Sequence, residues 1–201
     1  MEILEFLGKG INRRHIDRAI AELEAGKIII IPTDSLYALA CDALNGKTIE
    51  RICRIKGLNP DKQSLSIICS GLSQASEYAR IDNRAYRVLK ANLPGPFTFI
   101  LPADTRLPRA FKGRKTVGVR VPECEVATAL AEALGRPLMV TSVAPGEENE
   151  YTEPVQIAEL HKHDAVILLD GGIIGAEPSA VVDLTDPADP VVLRDGPREL
   201  L

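Results

Sequence analysis

The chain has 201 residues, 45% hydrophobic, 26% charged and 4% aromatic, proportions of a globular domain rather than of a disordered or collagen-like chain. Its length suffices to bury roughly 70% of the unfolded surface without metals or disulfides, so a single domain over residues 1–201 is expected. Apolar runs such as Ile28 to Ile31 and Ala165 to Leu169 fall far short of the about 20 residues of a bilayer span. The opening Met-Glu-Ile-Leu-Glu has neither a basic nor an apolar leader, and a cytoplasmic protein is expected.

Charge is distributed unevenly about a net −4. Six basic residues and no acid occupy Arg106 to Arg120, whereas Glu123 to Asp164 holds nine acids against Arg136 and Lys162. Such a basic segment is either a solvated loop or a local anion site. Cys41, Cys53, Cys69 and Cys124 fit no redox or zinc spacing and read as reduced packing residues.

In chain order, Ile16, Ala19, Ile20 and Leu23 repeat at helical spacing over residues 13–25, between Asn12 as N-cap and Gly26 as stop. Ile28 to Ile31, bounded by glycine and proline, is a buried strand. A helix over 47–56 turns Ile49, Ile52 and Cys53 inward, and Ser66 to Cys69 is a strand. Asp82 caps a helix that ends before Pro94-Gly95-Pro96. Strands follow at Phe97 to Leu101 and Thr116 to Val121, then a helix over 124–134 and a strand at Leu138 to Val143. After a short helix over 155–162 come strands at Ala165 to Leu169, Ala180 to Leu184 and Val191 to Leu193. The last two, joined by Asp186-Pro187-Ala188-Asp189-Pro190, are too close for a crossover and should pair antiparallel. The fold class is α/β, a twisted mixed sheet with helices on its faces.

Neither a P-loop nor a dinucleotide fingerprint occurs, and Gly171-Gly172-Ile173-Ile174-Gly175 is either a turn or a phosphate cradle. No Gly-x-Ser-x-Gly elbow supports a serine triad. His161 and His163 stand at a spacing that separates them on a helix, so a solvated surface is expected there and no metal site. Chemistry would therefore rest on positioning and charge stabilisation. Pro32-Thr33-Asp34-Ser35-Leu36-Tyr37-Ala38-Leu39 places hydroxyls and a carboxylate after a buried strand, where open α/β sheets bind ligands; an Asx or Ser turn would look similar.

These residues form an ordered series: Pro32 to Leu39, Lys56 at a helix end, Pro94-Gly95-Pro96-Phe97-Thr98-Phe99-Ile100-Leu101, Val117-Gly118-Val119-Arg120-Val121-Pro122, Thr141-Ser142, Pro178-Ser179-Ala180-Val181-Val182-Asp183 and Leu193-Arg194-Asp195-Gly196. The series resembles the YrdC/Sua5/YciO family of threonylcarbamoyl-AMP synthase-like proteins over nearly the whole chain. Arg51 to Ile55, Leu101 to Arg109 and Val181 to Asp186 are more similar to the YciO branch.

The resemblance implies a YrdC-like sheet with a large concave basic cavity, without the extra C-terminal domain of Sua5. It implies synthesis of threonylcarbamoyl-AMP from L-threonine, bicarbonate and ATP with Mg²⁺, releasing pyrophosphate, for the t6A base of tRNA. By family pattern Thr33, Tyr37, Thr98 and Arg120 would line the threonine pocket, and Lys56, Ser142, Ser179 and Arg194 would hold the nucleotide, with Lys56 and Arg120 catalytic. Two positions depart from the synthase pattern. Lys-x-Arg becomes Lys56-Gly57-Leu58 and Ser-x-Asn becomes Ser142-Val143-Ala144. The alternative implied by the family is a non-catalytic double-stranded RNA or tRNA binder using Arg51, Arg54, Lys56, Lys62 and the Arg106 to Arg120 cluster, whose binding would weaken steeply with salt.

Overall fold

The computed structural model describes residues 1–6, 10–144, 152–175 and 177–201. The aliphatic runs build ten strands: β1 (Glu2–Glu5), β2 (Ile29–Ile31), β3 (Ala38–Asp42), β4 (Ser66–Ile68), β5 (Phe97–Pro102), β6 (Thr116–Arg120), β7 (Leu138–Ser142), β8 (Ile167–Asp170), β9 (Ala180–Asp183) and β10 (Val191–Arg194). The amphipathic segments build α1 (Arg13–Glu24), α2 (Gly46–Lys56), α3 (Leu72–Tyr78), α4 (Asn83–Asn92), α5 (Glu125–Leu134) and α6 (Pro154–Leu160), with a 3-10 turn at Arg109–Phe111. The side chains of Asn12, Asn45 and Asp82 accept backbone N–H bonds at the starts of α1, α2 and α4, satisfying donors that a helix leaves open.

All ten strands join one mixed sheet in the order β1-β8-β2-β3-β7-β4-β6-β5-β9-β10. β9 and β10 pair antiparallel, as their short connection requires. Three elements were not predicted: β1, β3 and α3. β3 reads Ala-Leu-Ala-Cys-Asp, small residues of weak strand propensity; pairing on both sides, to β2 and β7, makes it a strand.

Alternation along the strands divides the sheet into two faces. Leu39, Ile67, Phe99, Val119 and Met139 face Ile49 and Ile52 of α2, Leu89 of α4 and Ile157 of α6 in one apolar cluster. On the opposite face Ile29, Ile31, Ala40, Ile68 and Leu138 pack with Leu23 of α1 and Leu130 of α5. That second cluster takes no residue from β5, β6, β9 or β10. Helices therefore cover one face broadly and the other only in part. Among the described residues no helix is long and apolar enough to cross a membrane.

Candidate functional site

The uncovered part of the second face is the floor of a cavity of about 410 Å³, within the range of small-molecule sites. Register builds the floor. Ser66 of β4 lies opposite Gly118 of β6 and Val140 of β7, and Ile100 of β5 lies opposite Gly118 on its other side. Continuing the β5–β6 ladder past the Phe99–Val119 pair sets Thr98 beside Arg120, and Val181 of β9 pairs with both Thr98 and Arg194. A Cβ at Gly118 would stand 2.6 Å from Ser66 Oγ and 2.9 Å from Thr98 Cγ2, so only glycine leaves this part of the floor open. Among the described residues, four cations, Lys62, Arg114, Arg120 and Arg194, border the cavity and no acid does.

Arg120 ends β6 and is 8% exposed. Its Nη2 donates to Asp34 Oδ1 at 2.8 Å and to Ser35 Oγ at 2.9 Å, while Asp34 Oδ2 accepts the Glu123 amide at 2.8 Å. The β2–β3 loop thereby fixes the guanidinium. Burial pushes its pKa below the ordinary arginine value, the Asp34 carboxylate opposes this, and the charge of Arg194 adds to the lowering. Arg120 Nε is buried without an acceptor among the described residues. An unmet charged donor is costly, and a ligand carboxylate matches the planar fork.

Arg194 ends β10 and donates from Nε and Nη2 to the Ser179 carbonyl at 3.0 and 2.7 Å. The Ser179 and Thr98 hydroxyls are 2.9 Å apart, so Thr98, Ser179 and Arg194 form one chain of contacts across β5, β9 and β10. Ser142, the last residue of β7, lies opposite Ala38 and also borders the cavity. Five of the eight predicted site residues, Thr98, Arg120, Ser142, Ser179 and Arg194, are thus brought to one cavity.

Thr33, Tyr37 and Lys56 do not border it. Thr33 Oγ1 donates to the Leu36 carbonyl at 2.7 Å and accepts the Ser35 amide at 3.1 Å, closing the turn that presents Asp34 and Ser35 to Arg120. Tyr37 is 0% exposed; its hydroxyl donates to the Gly172 carbonyl at 2.7 Å and accepts the Gly171 amide at 3.0 Å. Burial pushes its pKa above the ordinary tyrosine value. The glycine cluster at 171–175 thus meets a tyrosine hydroxyl at its first two residues. Lys56 Nζ donates to the carbonyls of Val143 at 3.3 Å and Ala144 at 2.5 Å, and burial lowers its pKa. It braces the segment after Ser142.

Sequence reasoning had not assigned Asp34 or Ser35, which orient Arg120, and it named Lys62 and the Arg106 to Arg120 cluster only as phosphate contacts of an RNA binder; Lys62 and Arg114 border the cavity. The basic stretch does not act as one face: Arg106 pairs with Glu77, Arg114 is on the cavity rim and Arg120 is in the floor. Leu58, at the altered Lys-x-Arg position, borders the cavity. The expectation of a solvated histidine pair fails for His161, whose buried ring contacts Asp164 Oδ2 at 3.0 Å and the Val143 carbonyl at 3.3 Å; His163 is exposed. Cys41, Cys53 and Cys69 are free and buried, with burial pushing the Cys69 thiol up to about 12. Among the described residues no group of three His, Cys, Asp or Glu side chains converges to hold a metal.

A family model described as telomere recombination, the Sua5/YciO/YrdC family, matches residues 21–196. The chain belongs to the Sua5/YciO/YrdC family. It is 41% identical over 187 residues to the uncharacterized protein YciO of Escherichia coli, covering 92% of this chain and 90% of YciO. The crystal structure of E. coli YciO superposes with a TM-score of 0.92 and 38% identity over 100% of both chains. A threonylcarbamoyl-AMP synthase of Halorhodospira halophila is 32% identical over 171 residues, covering 84% of this chain and 89% of the synthase. P. abyssi Sua5 complexed with L-threonine gives a TM-score of 0.87 and 31% identity, covering 98% of this chain and 58% of Sua5. The ten-stranded mixed α/β sheet is therefore the fold of this family.

Proposed function

We propose that this chain makes threonylcarbamoyl-AMP from L-threonine, bicarbonate and MgATP, supplying the t6A modification of tRNA. The observation that carries the reading is the cavity in which Arg120 and Arg194 stand on either side of the Thr98 and Ser179 hydroxyls, with no acid bordering it among the described residues. Kinship with proteins named threonylcarbamoyl-AMP synthase supports it.

In this reading the threonine amine and bicarbonate condense to a carbamate with loss of water. A carbamate oxygen attacks the α-phosphorus, the Pα–O–Pβ bond breaks, and pyrophosphate leaves with its electron pair. The threonine carboxylate takes the Arg120 fork, and Thr98 orients it. Ser142, Ser179 and Arg194 hold the nucleotide. Thr33 and Tyr37 act by shaping the loops at positions 33–36 and 171–172, and Lys56 by bracing the segment after β7. No proton-relaying triad is required, since charge on transferring phosphoryl oxygens is met by fixed cations and hydroxyls. Magnesium arrives with the nucleotide as part of the substrate.

The test is pyrophosphate release by the full chain. Release that requires threonine and bicarbonate together is expected. Restoring the synthase pattern with Leu58→Arg and Ala144→Asn should raise the rate by about ten- to a hundredfold, the worth of one or two charge-assisted or polar contacts. Ala144 is buried and its carbonyl holds Lys56, so folding of the variant is checked by thermal unfolding. Absence of threonine-dependent pyrophosphate from both the natural chain and a folded variant refutes the reading.

A further inference from the structure

Leu58 removes a cation from the cavity wall, yet a nucleotide brings several negative charges to it. Of the four cations that border the cavity among the described residues, Arg120 is already paired with the buried Asp34 carboxylate at 2.8 Å and is given to the threonine carboxylate in the reading above. Three remain, and two of them, Lys62 and Arg114, come from segments outside every family motif quoted above.

Those two segments are laced together. Arg114 Nη1 donates to the Lys62 carbonyl at 2.9 Å, and the Ser64 and Thr116 hydroxyls are 2.6 Å apart. Gly113 runs so close to the other segment that a Cβ there would stand 3.2 Å from Asp61 Cα and run into the Asp61 carboxylate. Lys115 has φ +57°, a left-handed conformation that costs a side-chain-bearing residue about 1 to 2 kcal/mol. A solvated basic loop needs none of this; a loop that must hold two cations at one place does. Arg114 commits one donor to Lys62 within the described residues, leaving most of a five-donor fork available. Lys62 Nζ makes no ion pair among the described residues.

We propose that Arg114 and Lys62 bind the terminal phosphates of the nucleotide and take the place of the arginine that Leu58 replaces. This rests on the nucleotide part of the reading above, but not on the threonine chemistry. The pair meets the β- and γ-phosphates, while Arg194 and the hydroxyls stay near the α-phosphate.

Calorimetric binding of AMP, ADP, ATP and inorganic tripolyphosphate to the full chain tests it. Affinity should rise from AMP to ATP, and Arg114→Gln with Lys62→Gln should weaken ATP and tripolyphosphate by about ten- to a hundredfold, with AMP within about twofold. Both residues are exposed, so the fold should survive, and unchanged thermal unfolding without ligand checks this. Arg114→Lys, which keeps the charge and loses the fork, should fall between. Adding Leu58→Arg to the double variant should restore ATP affinity. ATP binding that is unmoved in the double variant, equal weakening of AMP and ATP, or no binding of ATP and tripolyphosphate by the natural chain overturns the proposal. A folded triple variant without recovery refutes the equivalence with position 58. Tripolyphosphate binding that depends on Arg114, with no threonine-dependent pyrophosphate from either the natural chain or the folded Leu58→Arg, Ala144→Asn variant, refutes the synthase reading and leaves this one standing.

Discussion

Arg120 concentrates the argument at the scale of single residues, because its guanidinium is buried, braced by Asp34 and Ser35, and still has an unmatched Nε. Arg120→Lys keeps a charge but cannot fork, so threonine affinity should fall at least about tenfold in calorimetry. Arg120→Met should also lower stability, since it leaves the Asp34 carboxylate, 7% exposed, without its partner. Lys56 adds a pH signature. Burial lowers its folded pKa below the ordinary 10.5, so the folded state binds this proton less tightly than the unfolded chain. The resulting penalty is fully present below the folded pKa and is lost as pH rises toward 10.5. Relative to Lys56→Gln, the natural chain should therefore gain stability as pH is raised through that window, read by urea unfolding at each pH. A difference that stays flat or falls would contradict the burial of this ammonium. Arg120, Thr98 and Arg194 could be singled out from the sequence because each sits in a recognisable motif, and the structure brings all three to one cavity. The committed hydroxyl of Tyr37 was not, because its partners are 134 and 135 residues away in the chain and leave no local signal.

Elements with strong periodicity were the legible ones. α1, α2, α4 and α5 carry apolar stripes and side-chain or glycine caps, so local pattern and tertiary need agree. β3 and β1 depend on partners instead: β3 is made of small residues and β1 is an edge strand paired with β8 alone. The cavity floor was beyond sequence reasoning for the same reason, since register across β4, β6 and β5 decides that Ser66, Gly118 and Thr98 share a face. That register makes a prediction for β6. Gly118→Ala puts a methyl between Ser66 Oγ and Thr98 Cγ2, in a strand paired on both sides. The strain should cost about 1 to 3 kcal/mol, lowering the thermal midpoint. Ligand affinity should fall as well, because Thr98 is displaced. Adding Ser66→Gly should recover part of both; a fully stable Gly118→Ala with normal affinity would show that the floor is not as close-packed as its register implies.

For the molecule as a whole, the decisive feature is that one sheet serves two purposes on the same face. Toward β1, β8 and β2, that face is sealed by α1 and α5; toward β6, β5, β9 and β10 no described helix covers it, and cations and hydroxyls border it. The apolar half supplies stability, at roughly 1.5 to 3 kcal/mol for each large side chain buried, and the bare half keeps cations and hydroxyls open to ligands. Stability and binding should therefore separate under mutation. Leu23, 0% exposed on α1, belongs to the sealed half and borders no part of the cavity. Leu23→Ala should cost about 2 to 5 kcal/mol through lost burial and the void left behind, moving the urea midpoint down with little change in slope. Measured well below the midpoint, where the variant is still folded, ATP affinity should remain within about twofold of the natural chain, as expected for sites that share no partners. A loss of affinity in step with the loss of stability would instead mean that the α1 layer and the cavity floor deform together, and that the cations are held by the packing of the whole sheet rather than by their own local contacts.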